Sequence, residues 1–171
     1  MRLFIAIQLS DELKKTITSS MHEMKKQGIR GSYVPTQNLH LTIAFIGETA
    51  DSGAVKDALR TVKVKPFRLS LSEMGTFGDL LWVGMKGNQG LSGAVKAVRE
   101  SLDAAGISYD HKKFVPHITI IRKMAGKWQS IPAPKGEMIA EKISLMKSER
   151  IDGKMKYTEI FAVDGKGSSG R

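Results

Sequence analysis

Two short runs of nearly the same wording, about half the chain apart, limit what this sequence can become. The first is Asn38-Leu39-His40-Leu41-Thr42-Ile43-Ala44-Phe45. The second is Phe114-Val115-Pro116-His117-Ile118-Thr119-Ile120-Ile121-Arg122. Both are rich in apolar and β-branched residues, which favours strands. A strand sends alternate side chains to opposite faces, so each His shares a face with the Thr two places on. Leu41 and Ile43, and likewise Ile118 and Ile120, point the other way and can pack in a core. Each strand then carries one imidazole and one hydroxyl on an otherwise apolar element. A fold that sets the two strands on either side of one cleft gathers two imidazoles and two hydroxyls.

The rest of the chain supplies such a fold. Leu3-Phe4-Ile5-Ala6-Ile7 reads as a buried strand. Ser10-Asp11 opens a helix whose Leu13, Ile17, Met21 and Met24 recur at helical spacing up to Gly28. His22 lies among solvated residues of that helix and reads as a surface side chain. A second helix, capped by Asp51 or Ser52, carries Val55, Leu59 and Val62. A third, from Asn88 to Ala105, carries Leu91, Val95, Val98 and Leu102. Phe67–Leu71 and Leu80–Met85 read as strands, with Gly75-Thr76-Phe77-Gly78 as a turn between them. The segment 123–136 reads as an exposed loop. Met138–Met146 and Met155–Val163 read as a closing antiparallel pair around Asp152-Gly153. Strands often come in adjacent pairs rather than in strict alternation with helices. The expected class is therefore α+β with antiparallel sheets, helices packed outside, and a duplicated, bilobal arrangement around a central cleft. Residues 1–164 are expected to form a single domain, and residues 165–171 a flexible tail rich in Gly and Ser.

At 171 residues with 41% apolar content, the chain can bury a proper core. It has no cysteine, which excludes disulfides and thiolate metal sites. The opening apolar run is too short for a secretion signal, and no stretch approaches a membrane span. The cytoplasm is the expected location, and a monomer the expected state. Twenty-seven basic residues against 17 acidic ones give a formal charge of +10. Such a field favours a polyanion such as RNA or DNA, although a lysine-rich surface can equally serve solubility. His111, ahead of Lys112 and Lys113 in a loop, reads as a surface residue.

Two neutral imidazoles flanking one reacting centre suit an in-line displacement. One accepts a proton from the attacking group while the other gives a proton to the leaving group. The hydroxyls of Thr42 and Thr119, with Arg122 nearby, can hold phosphate oxygens. Neither strand carries a carboxylate on its His face, so neither a metal nor a cofactor is expected. Either His-x-Thr alone reads as an ordinary polar pair on a strand. The repetition in matched surroundings is what raises it to a site.

These paired motifs resemble the 2H phosphoesterase superfamily, and most closely its RNA 2',3'-cyclic phosphodiesterase branch, historically called 2'-5' RNA ligases. Arg2–Ile7 resembles that family's first strand. Val34-Pro35 with Asn38–Thr42 and Phe45-Ile46-Gly47 resembles its first motif region. Phe114-x-Pro116-His117-Ile118-Thr119 with Arg122 resembles the second. Ser148-Glu149-Arg150, Gly153 and Tyr157 resemble its closing hairpin. The resemblance implies hydrolysis of a terminal 2',3'-cyclic phosphate on RNA, or of a cyclic nucleotide, to a 2'-phosphate. It implies His40 as proton donor, His117 as proton acceptor, and Thr42 and Thr119 as phosphate-binding residues. Two alternatives stand beside hydrolysis: 2'-5' ligation by the reverse reaction, and an RNA-binding module without catalysis.

Phe45 and Arg122 each stand five places after their histidine. A nucleobase held between the ring and the guanidinium plane is the expectation for this pair. Strict alternation puts both on the wrong face, so that reading needs a strand end or a bulge to re-aim them. The competing reading is that Phe45 is a core residue.

Overall fold

A computed structural model describes residues 1–170 of the chain. Its first strand, β1 (Arg2–Gln8), is apolar on both sides because it is covered on both sides. Leu3, Ile5 and Ile7 enter the main core. Phe4 and Ala6 face the other way, onto Met146 and Tyr157. Helix α1 (Asp11–Lys26) follows, with the Leu13 N–H donating to the Ser10 hydroxyl at 3.2 Å. Its four apolar positions, Leu13, Ile17, Met21 and Met24, are all buried, each contributing about 1.5–3 kcal/mol of burial. His22 is exposed.

The chain continues through β2 (Arg30–Tyr33), a 3₁₀ turn at Thr36–Asn38, and β3 (His40–Glu48). Helix α2 (Ser52–Arg60) is capped by Asp51, which accepts from the Ala54 N–H at 2.9 Å. Strands β4 (Phe67–Phe77) and β5 (Leu80–Met85) form a hairpin. Helix α3 (Gln89–Ala104) is capped by Asn88. Then come β6 (His117–Ala125), β7 (Glu137–Ala140), β8 (Lys142–Ile151), β9 (Lys154–Asp164) and β10 (Gly167–Gly170).

The strands form two five-stranded sheets, ordered β10-β9-β8-β1-β3 and β2-β6-β5-β4-β7. Every strand pairing is antiparallel. One histidine strand thus belongs to each sheet: β3 at an edge of the first, β6 inside the second. The inner sheet faces and the buried sides of the three helices share one continuous core. This is the expected bilobal α+β arrangement. No helix among the described residues is long and apolar enough to cross a membrane.

Four local expectations differ from the structure. Gly75 lies inside β4 rather than in a turn, and the chain reverses at Gly78-Asp79. Gly75 is there because the Trp82 ring lies against its backbone: a Cβ would sit 2.5 Å from that ring. The run Met138–Met146 divides into β7, which pairs with β4, and β8, which pairs with β1 and β9. An apolar run does not reveal that the chain changes sheet at Glu141. The segment 123–136 is not wholly exposed, since Ile131 and Pro134 are buried. Of the expected tail 165–171, Gly167–Gly170 pairs with β9 as an edge strand. Arg171 lies outside the described residues.

Candidate active site

The two histidine strands bend in the same way. On β3, Ile5 pairs with Ala44 but Ala6 pairs with Thr42, leaving Ile43 as an extra residue. On β6, Leu81 pairs with Ile121 but Trp82 pairs with Thr119, leaving Ile120 as the extra one. Each is a β-bulge one residue past the motif threonine, and each flips the inside–outside alternation beyond it. The burial along the strands follows. The positions one, three and four after each His are buried, and the fifth is exposed.

That fifth position is Phe45 in one strand and Arg122 in the other. Gln8, Ala6 and Phe4 on β1 lie opposite His40, Thr42 and Phe45. Alternate residues of β1 share a face, so the three β3 residues do as well. The bulge re-aims Phe45 onto the imidazole face, where its ring is 37% exposed with the Arg2 guanidinium 5.2 Å from its centroid. It is not a core residue. Arg122 is exposed on the matching bend of β6.

Each imidazole is anchored by the same bond. His40 Nδ1 lies 2.7 Å from the Asn38 carbonyl oxygen, and His117 Nδ1 lies 2.7 Å from that of Val115. A carbonyl can only accept, so Nδ1 carries the proton in both rings and Nε2 is left for chemistry. Beyond the anchors the two rings diverge. His40 Nε2 lies 2.9 Å from the Thr42 hydroxyl, which donates to it while the ring is neutral. Among the described residues, no protein group bonds His117 Nε2.

The surroundings diverge too. His40 packs against Phe4, with centroids 4.8 Å apart, and meets Tyr157 edge-on at 5.2 Å. Asn38 reinforces this enclosure: it is 7% exposed, and its amide donates to the Met155 carbonyl on β9 at 3.0 Å. His117 instead meets Phe77 edge-on at 5.1 Å, with the Trp82 ring 6.3 Å away. Burial therefore disfavours the His40 imidazolium and lowers its pKa. The Asn38 carbonyl opposes this, and the charges of Arg122, His117 and Lys14 add to the lowering. Strands β3 and β6 also approach one another across the shared core, so the two motifs stand on neighbouring elements.

Phe4, Phe77, Trp82 and Tyr157 line the imidazoles without having been singled out as wall residues from the sequence. Their sequence signal is that of any aromatic residue on a strand, so nothing separates a site wall from a core. Among the described residues, no group of three or more His, Asp or Glu is gathered to hold a metal ion.

Comparison with known proteins agrees with this fold. The family model of the 2'-5' RNA ligase superfamily matches residues 10–166. An RNA 2',3'-cyclic phosphodiesterase of Thermotoga maritima is 30% identical over 142 residues, covering 77% of this chain and 75% of that protein. One of Geobacillus stearothermophilus is 27% identical over 188 residues, covering 98% of this chain; the chain spans only 60% of that relative's length. The crystal structure of Escherichia coli LigT complexed with 3'-AMP superposes with a TM-score of 0.79 at 29% identity, covering 95% of this chain and 96% of that one.

Proposed function

The chain belongs to the 2'-5' RNA ligase superfamily, and from that premise we propose that it hydrolyses the 2',3'-cyclic phosphate at an RNA terminus, or on a nucleotide, to a 2'-phosphate. Water attacks phosphorus as His117 Nε2 takes its proton. The bond from phosphorus to the 3' oxygen breaks, and His40 Nε2 delivers a proton to that oxygen. The hydroxyls of Thr42 and Thr119 bind the non-bridging oxygens, and the Arg122 guanidinium offsets their charge. The nucleobase stacks on Phe45.

One observation carries this reading: two imidazoles, each fixed through Nδ1 at 2.7 Å to the carbonyl two residues upstream, turn Nε2 away from the backbone, His40's onto the Thr42 hydroxyl and His117's without a protein partner among the described residues. Acid–base relay across one phosphorus needs that pairing, and a passive binding surface does not. In free enzyme burial disfavours the charged form of His40, so the donor role needs the site to favour that form. A bound phosphate does so, because an adjacent negative charge stabilises the imidazolium. We read the protein as a monomer acting in the cytoplasm.

The test is incubation with a 2',3'-cyclic nucleotide in the presence of a chelator, with the product identified. A 2'-phosphate from the wild type, and none from His40→Ala or His117→Ala, is expected. A chelator-sensitive reaction overturns the metal-free relay. RNA binding that survives both substitutions in a protein with no turnover leaves only a binding module.

A further inference from the structure

We propose that Phe77 is the floor of a second nucleoside subsite, on the His117 side of the cleft, for the nucleoside whose 5' oxygen attacks or leaves phosphorus. The proposal rests on the roles proposed above for the two histidines. Hydrolysis of a cyclic phosphate needs one nucleoside, and Phe45 serves it. On the opposite side of phosphorus, water alone needs no aromatic platform.

A platform is nonetheless present there. Phe77 is 45% exposed although its ring stands 5.1 Å from that of His117. The counterpart contact in the other half is made by Phe4, which is 4% exposed. A ring whose only task is to brace an imidazole can be enclosed, as Phe4 is, and Phe77 is left open. It is also held in place. Phe77 pairs with Leu80 across the turn, its ring leans on Trp82 at 5.2 Å, and the Asp79 carbonyl accepts from the Met124 N–H of β6 at 2.8 Å. Trp82 can lie against β4 because Gly75 leaves room for its ring. A rigid, open aromatic face is what base stacking uses, since every base has a π-face and little order is lost on binding.

The step this subsite serves balances without any further reactant. The 5' oxygen bonds to phosphorus while His117 takes the hydroxyl proton. The bond to the 3' oxygen breaks, and His40 protonates it. The product is a 2'-5' phosphodiester, and the reverse cleaves one back to a cyclic phosphate and a 5' hydroxyl.

The experiment measures inhibition of 2',3'-cyclic nucleotide hydrolysis by two compounds of equal charge. One is a 2'-5'-linked dinucleoside monophosphate; the other is the methyl ester of the first nucleoside's 2'-phosphate, which lacks the second base. The ratio of their inhibition constants is read within each of wild type, Phe77→Ala, Phe77→Leu and Phe77→Trp, so a change in turnover common to both compounds drops out. The dinucleotide should bind wild type about 5- to 100-fold more tightly, the range for one stacked base. Phe77→Ala and Phe77→Leu should bring the ratio close to one, and Phe77→Trp should keep it. Leucine keeps the apolar bulk, so it carries the test should alanine disturb the hairpin. A ratio near one in wild type, or a large ratio that survives in Phe77→Leu, overturns the subsite. A wild type that turns over no cyclic nucleotide overturns instead the reading of the first site. The same ratio is then taken from binding titrations followed by tryptophan fluorescence, where the same two results decide for or against Phe77.

Discussion

The half of the molecule around β3 and the half around β6 share a backbone device and differ in what surrounds it. The sequence of buried and exposed positions after each histidine is the same, as are the bulge past the threonine and the carbonyl that anchors Nδ1. The walls are not. Phe4, Tyr157 and the Asn38–Met155 tie enclose His40, whereas the open hairpin of Phe77 and Trp82 stands beside His117. The shared part fixes each ring through Nδ1 and turns Nε2 away from the backbone anchor, as the proposed relay requires. The divergent part gives them different surroundings, and the proposed step needs such a difference for one residue type to serve as both acid and base.

The largest effect that tests this comparison is removal of either ring. His40→Ala and His117→Ala should each lower kcat/KM for a 2',3'-cyclic nucleotide by about 10²- to 10⁴-fold. The double variant should be little worse than either single one, because the two act as a unit. A large loss from only one of them would break the equivalence of the halves. The hydroxyls come next. Thr42→Val and Thr119→Val should each cost about tenfold or more in kcat/KM, the worth of a hydrogen bond to a charged group. Only Thr42→Val should also move the pH profile, since only Thr42 bonds its imidazole. A matching shift from Thr119→Val would show that the asymmetry disappears once substrate is bound. Phe45→Ala should raise KM by about tenfold and leave kcat similar, as expected for a stacked base. An unchanged KM in the folded variant removes Phe45 from the substrate.

Much of this was legible because two periodicities coincide with chemistry. The 2.0 period of the His-x-Thr runs put each His and Thr on one side, and the 3.6 period of Leu13, Ile17, Met21 and Met24 marked a helix that is buried at those four positions. The bulges were foreseeable only as a requirement. Alternation put Phe45 and Arg122 on the wrong face, and nothing in Ile43 or Ile120 announces an extra residue in the ladder. The walls were not legible at all. Tyr157 reaches His40 because the β8–β9 hairpin comes back to Asn38, a contact between residues more than a hundred positions apart, and Phe4 reaches it from the neighbouring strand β1. Gly75 pointed to a turn by composition, but the ring it accommodates belongs to the neighbouring strand.

The smallest predicted effect bears directly on which histidine gives the proton. Burial is the main reason that the His40 pKa lies below the ordinary imidazole value. Tyr157→Ala uncovers the ring on one side and should move that pKa upward, because less of the imidazolium's hydration is lost. A proton donor must be charged, so kcat/KM falls as pH rises through its pKa, and uncovering a donor moves the alkaline limb of the profile up. A proton acceptor must be neutral, so kcat/KM falls as pH falls through its pKa, and uncovering an acceptor moves the acid limb up instead. A stability measurement establishes that the shift occurred, whichever limb responds. A depressed histidine pKa stabilises the fold fully above the unfolded value near 6.5, and that stability is lost as pH falls from there through the folded pKa. Tyr157→Ala should therefore flatten the decline of Tm on the acid side of pH 6.5. With that flattening in hand, movement of the alkaline limb makes His40 the donor. Movement of the acid limb would exchange the roles of the two halves and put the attacking oxygen beside His40.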